Sequence, residues 1–177
     1  MLEQRYRWKN KQLREHVYVI DGKKAPTLVL ANAVYLNQVF KKWMKANIWI
    51  YEDRIVYVGE KMPDMLDGTE IVDCTDQYLV PGYIEPHAHP FQLYNPETLC
   101  MHAGQFGTTT LINDNMLLFT LLENRQAFAL LKELRQLPVS MYWWARLDSQ
   151  TELRNEEMVF SHSNVKSWLE HDGVLQA

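Results

Sequence analysis

Short blocks of apolar residues, several of them alternating with polar ones, run from Thr27 to Cys74. Thr27–Leu30, Ala33–Leu36, Ile48–Tyr51, Ile55–Val58 and Glu70–Cys74 each read as a strand, and Glu52-Asp53-Arg54 turns the third into the fourth as a hairpin. Several short strands at this spacing predict a small β-sandwich. After Tyr78 the rhythm changes. An apolar run at Tyr78–Ile84 predicts a strand, and Asn95-Pro96-Glu97 opens a helix that Gly107 ends near Phe106. Thr108–Ile112 predicts the next strand. Leu118, Leu121, Leu122, Phe128, Leu131 and Leu134 recur at helical spacing from Met116 to Leu137, stopped by Pro138. Val139–Ala145 is nearly all apolar, as a strand covered on both faces should be. A last helix, Ser163–Asp172, closes at Gly173, and Val174-Leu175-Gln176 begins a fourth strand. Strands alternating with helices predict parallel βαβ units.

The predicted organisation is therefore a helical extension over residues 1–25, a β-sandwich part over 26–77 and the start of a βα-repeat over 78–177. The extension carries Arg5, Arg7, Lys9, Lys11 and Arg14 among Tyr6, Trp8 and Leu13, which reads as a helix with a solvated basic face. A net charge of −4 argues against a nucleic-acid partner. Apolar content of 47% is that of a packed core, yet no apolar run is long enough to cross a membrane and no secretory leader is visible. Cys74 and Cys100 have no metal-binding or redox spacing and read as free thiols of a cytoplasmic protein.

The candidate chemistry lies in Val80-Pro81-Gly82-Tyr83-Ile84-Glu85-Pro86-His87-Ala88-His89-Pro90. Pro86 and Pro90 keep the backbone extended, so His87 and His89, two apart, face one side. Two neutral imidazoles from one strand end make half a site for zinc, iron or a similar metal. Asp114, after the second strand, is a candidate partner for an imidazole, and an N-cap role also fits it. Arg146 and Asp148 follow the third strand and are read as substrate contacts or as a pair with each other. His162, before the third helix, is a weaker candidate. His16, His102 and His171 carry no such signal.

The proline-glycine-aromatic-aliphatic-acid-x-His-x-His pattern resembles the first barrel strand of the amidohydrolase superfamily, the metal-dependent (β/α)8 hydrolases. Gly107-Thr108-Thr109-Thr110-Leu111-Ile112-Asn113-Asp114 resembles that superfamily's second strand, and Ala46–Glu60 its N-terminal β-sandwich strands. Within it the likeness is to the adenine deaminases, and it runs from about residue 26 to the end. Glu85 stands where an aspartate is usual. The resemblance implies an α/β fold with a small β-sandwich and a TIM barrel cut after about three and a half βα units, because a closed barrel takes about 250 residues.

It further implies His87 and His89 as metal ligands, a divalent metal (Mn, Fe or Zn) and a purine base as substrate. The later ligands and the acid/base carboxylates would lie beyond Ala177, so no catalytic residue is assigned within the sequence. Metal should then bind weakly or not at all to this stretch, with no turnover. An amidohydrolase acting on another cyclic amide or amidine stays open. So does a non-catalytic truncated product or association module, and the open sheet edge such a piece would carry admits a homo-oligomer.

Overall fold

The structure is a computed structural model that describes residues 10–176. Arg5, Arg7 and Lys9 of the basic segment lie outside the described residues. The chain divides into two compact units, meeting in sequence at Pro81 and Gly82.

The first unit opens with helix α1 (Asn10–Ile20), followed by β1 (Leu28–Asn37), β2 (Lys42–Tyr51), β3 (Arg54–Gly59), β4 (Glu70–Asp73) and β5 (Tyr78–Leu79). They form one five-stranded sheet in the order β3-β2-β1-β4, with β5 also on β1. β2 pairs antiparallel with both β1 and β3, whereas β4 and β5 run parallel to β1. The predicted strands at Thr27–Leu30 and Ala33–Leu36 are one strand interrupted by a bulge. Asn32 takes a left-handed conformation (φ 57°) and donates its backbone N–H to Asn47 Oδ1 at 2.9 Å. The extra residue flips the side-chain alternation. Before it Val29 and Ala31 pack with Val19 of α1, Trp49 and Tyr51; after it Ala33 joins Ile48 and Cys74, with Leu30 and Tyr35 alongside.

The second unit is β6 (Tyr83–Ala88), α2 (Pro96–Gln105), β7 (Thr108–Asn113), α3 (Met116–Leu121), α4 (Asn124–Leu134), β8 (Ser140–Trp144), α5 (Glu156–Val159), α6 (His162–Leu169) and β9 (Val174–Gln176). Its four strands pair in parallel in chain order, β6-β7-β8-β9. The first strand begins later than the sequence suggests. Tyr78 and Leu79 pair with β1, and Val80-Pro81-Gly82 separates them from β6. A Cβ on Gly82 would stand 2.2 Å from Cγ2 and Oγ1 of Thr109, so the chain enters β6 through a gap that only glycine fits.

α2 starts as predicted: the Asn95 side chain accepts from Thr98 N at 2.8 Å, and Pro96 occupies the first turn. Gly107, at φ 86°, turns the chain from α2 into β7. The single helix expected from Met116 to Leu137 is two. Leu122 and Glu123 are extended, and Gln126 Oε1 accepts from Glu123 N at 3.4 Å, so a polar start signal inside the apolar rhythm begins α4 anew. Leu111, Met141 and Val139 pack on Cys100 of α2, while Trp143, Ala145 and Val174 pack with Leu118, Phe119, Leu131 and Trp168 from the later helices. Cys74 and Cys100 are both buried free thiols.

Candidate metal centre

Two neighbouring strand ends build the site. At the end of β6, Glu85 Oε1 accepts the backbone N–H of His87 at 3.0 Å, and the Trp144 indole N–H of β8 donates to Pro86 O at 3.1 Å. These bonds and the two prolines hold the strand end extended from outside, leaving the imidazoles of His87 and His89 side by side with ring centroids 4.9 Å apart. Trp144 lies 5.8 Å from the His87 ring.

β7 ends beside it. Ala88 is opposite Asn113, and Asp114 donates its backbone N–H to Ala88 O at 2.8 Å, which brings the Asp114 carboxylate to the histidine pair. One ligand atom from each of His87, His89 and Asp114 lies within 4.8 Å of the others. Donors bonded to one ion at about 2.0–2.2 Å are at most about 4.4 Å apart. Three tetrahedral donors at those bond lengths lie about 3.3–3.6 Å apart, so side-chain rotations that draw the set in by about an ångström would close it, and two imidazoles with a carboxylate are donors that suit zinc or iron. A small cavity of about 50 Å³ adjoins it, lined by His89, Phe91, Gln92, Asp114, Met116 and Leu117 among others.

Asp114 is buried, and its carboxylate is committed on both oxygens. Oδ1 accepts Met116 N at 2.6 Å, the N-terminal amide of α3, and Oδ2 takes Arg146 Nε at 2.8 Å and Nη2 at 2.5 Å. The N-cap of α3 is Asn115, so Asp114 does not hold the N-cap position the sequence also allowed; from one residue further out it bonds the first helical amide and lies beside the imidazoles as well. Arg146 pairs across to Asp114, not to Asp148, which is exposed two residues away. His162 is exposed at the first residue of α6 and is not a member of the cluster. His102 stands edge-on to Phe106 at 5.2 Å, and His171 stacks on Phe128 at 4.5 Å, accepting Gly173 N on Nδ1.

Sequence reasoning gave no role to Asn115. It is fully buried, its Oδ1 accepts Arg146 N at 3.2 Å, and its Nδ2 has no partner. Asn113, likewise buried, donates to Tyr142 O at 3.0 Å and keeps Oδ1 unpaired. The visible signal was three polar residues in succession, Asn113-Asp114-Asn115, directly after an apolar strand.

No protein-family profile matches the chain. Curated proteins do. Over 171 residues the chain is 60% identical to a Bacillus cereus protein named "Putative adenine deaminase", covering 97% of this chain and 29% of that protein. Proteins of the same description from Halalkalibacterium halodurans and Bacillus subtilis are 58% and 49% identical, each match covering 99% of this chain and 30% of the relative. The chain thus spans about 30% of the length of these curated relatives.

Among solved structures, the N-acyl-D-glutamate deacylase of Bordetella bronchiseptica, complexed with zinc and a phosphonate inhibitor, aligns with a TM-score of 0.53. The identity is 15%, over 77% of this chain and 35% of that one. An amidohydrolase from a Sargasso Sea environmental sample aligns with a TM-score of 0.53 at 18% identity, over 74% and 38%. At such identities the likeness is one of fold: the mixed α/β chain matches an N-terminal piece of a TIM-barrel amidohydrolase.

Proposed function

Since this chain belongs to the adenine deaminase family of the amidohydrolase superfamily and spans about 30% of its relatives' length, we propose that it contributes the first part of the active site of an adenine deaminase. The reaction is adenine plus water to hypoxanthine plus ammonia. The observation that carries the reading is the histidine pair at the end of β6 with a carboxylate beside it. A divalent metal held there would supply the Lewis acidity that hydrolytic deamination needs.

The chain's own residues do the holding. His87 and His89 offer imidazole nitrogens on one side of an extended strand end. Glu85 and Trp144 keep that strand end in place through the His87 amide and the Pro86 carbonyl. Residues 82–177 are read as the first part of the barrel, and the β unit before them as an incomplete composite sandwich. The acid/base carboxylate is assigned to the remaining part of the family's length, so the 177-residue chain alone should not turn over.

The test joins this chain in frame to the remaining segment of the Bacillus cereus relative and measures ammonia release from adenine. Metal-dependent release that is lost in His87→Ala supports the proposal, with no release from the 177-residue chain alone. A folded, metal-loaded chimera inactive on adenine sinks the substrate assignment and leaves another cyclic amidine or amide as the substrate class.

A further inference from the structure

We infer that Asp114 is a third metal ligand and Arg146 its positioning residue, so that this stretch of chain holds a divalent cation through a His87–His89–Asp114 set of its own. The inference deepens the function proposed above and rests on the same histidine pair, but it departs from the sequence-based expectation of weak or no binding. A two-imidazole half-site is a poor chelate. A third donor that is anionic, buried and already ordered changes that, because the cost of bringing it into place has been met by folding.

Three features of the structure carry this. The Asp114 oxygen lies within 4.8 Å of ligand nitrogens on both histidines. Its orientation is set from two directions, by Met116 N on Oδ1 and by the Arg146 fork on Oδ2. Ligating carboxylates are commonly held by such hydrogen bonds from behind. Arg146 is itself fixed at its backbone, where its N–H donates to the buried Asn115 Oδ1. Both Arg146 contacts fall on Oδ2, and Oδ1, with a single hydrogen bond, retains a lone pair for a cation. An aspartate that only accepted the first amide of α3 would require neither the guanidinium nor proximity to two imidazoles.

The experiment is a Co(II) titration of the purified 177-residue chain and its variants, followed by visible and near-ultraviolet absorption and by the metal-induced rise in Tm. Wild type should bind, and His87→Ala or His89→Ala should abolish binding. Asp114→Asn, which keeps an oxygen for Met116 N, should weaken it at least about tenfold. Asp114→Cys should add a thiolate-to-cobalt charge-transfer band that wild type, whose Cys74 and Cys100 are buried, does not show. Arg146→Gln, which loses the fork on Asp114 Oδ2, should weaken Co(II) binding about tenfold or more and so shrink the metal-induced rise in Tm. A purely structural Arg146 would lower Tm equally with and without metal.

If the histidine variants lose binding while Asp114→Cys gives no band and Asp114→Asn binds like wild type, the Asp114 assignment is overturned and the histidine pair stands. Absence of binding by the wild-type chain overturns the Asp114 assignment too. It leaves the deaminase proposal to the chimera assay, which is scored on ammonia and not on this chain's own affinity.

Discussion

Arg146 grips a single oxygen of Asp114 with two nitrogens, Nε at 2.8 Å and Nη2 at 2.5 Å, across the ends of β7 and β8. Both side chains are largely withdrawn from water, at 18% and 7% exposure, so neither charge has solvent to fall back on.

Arg146→Met should therefore cost about 3 kcal/mol, the lower end of the range for breaking a buried pair from one side. Adding Asp114→Asn should recover part of that loss, because the orphaned charge goes with it. Urea denaturation of the two single variants and the double variant measures the coupling, and a strictly additive cycle would show that the pair contributes nothing.

Gly82 is predicted to be intolerant of a side chain. The Cβ of Gly82→Ala would meet Thr109 at 2.2 Å, and relieving that overlap should cost about 1–3 kcal/mol. Thr109→Ala removes the two closest atoms and should restore part of the stability lost in Gly82→Ala. Thermal melts of the single and double variants decide it. An equal penalty in both backgrounds would mean that backbone conformation, not Thr109, makes glycine necessary.

The loop after β8 should be acid-sensitive. Glu156 accepts the Ser149 hydroxyl at 2.5 Å and the Ser149 N–H at 3.0 Å, and these bonds, the hydroxyl's foremost, hold its carboxyl below the usual glutamate range. With the folded value below the unfolded one, the stabilisation is present above the ordinary Glu pKa of about 4.3 and is lost as pH falls through the folded value. Wild type should exceed Glu156→Gln in stability at pH 6, and the gap should close on acidification. Denaturation midpoints from pH 6 to pH 3 would show it, and a gap independent of pH would reject it.

Trp168 anchors the helices over β8 and β9. It is fully buried, lies against Phe119 and Phe128, and donates its indole N–H to Asn124 Oδ1 at 2.8 Å. Trp168→Ala should cost about 3–5 kcal/mol. Trp168→Phe should lose less, keeping a ring there but orphaning Asn124. Loss of near-ultraviolet circular dichroism with retained far-ultraviolet signal in Trp168→Ala would show that packing, not secondary structure, failed.

Much of this protein was legible from its sequence because the information is local. The change from short strands to alternating strands and helices announced parallel units, since backbone period depends only on neighbouring residues. Asn95-Pro96 and Gly107 bounded α2 for reasons confined to one turn of chain. His87 and His89 were recognisable as a pair because extended geometry at spacing two leaves them no other arrangement.

What only the tertiary structure decided involves partners distant in the chain. Tyr78 and Leu79 read as the start of the barrel strand, yet they pair with β1, because strand pairing depends on which edge lies within hydrogen-bonding reach. Arg146 had Asp148 two residues away and binds Asp114 instead, 32 positions earlier. Parallel strands bring equivalent ends together whatever their separation in sequence, and the half-buried Arg146 guanidinium takes the buried Asp114 carboxylate over the exposed Asp148. The histidine pair was thus written in eleven consecutive residues, whereas the carboxylate beside it exists only because β6 and β7 end side by side.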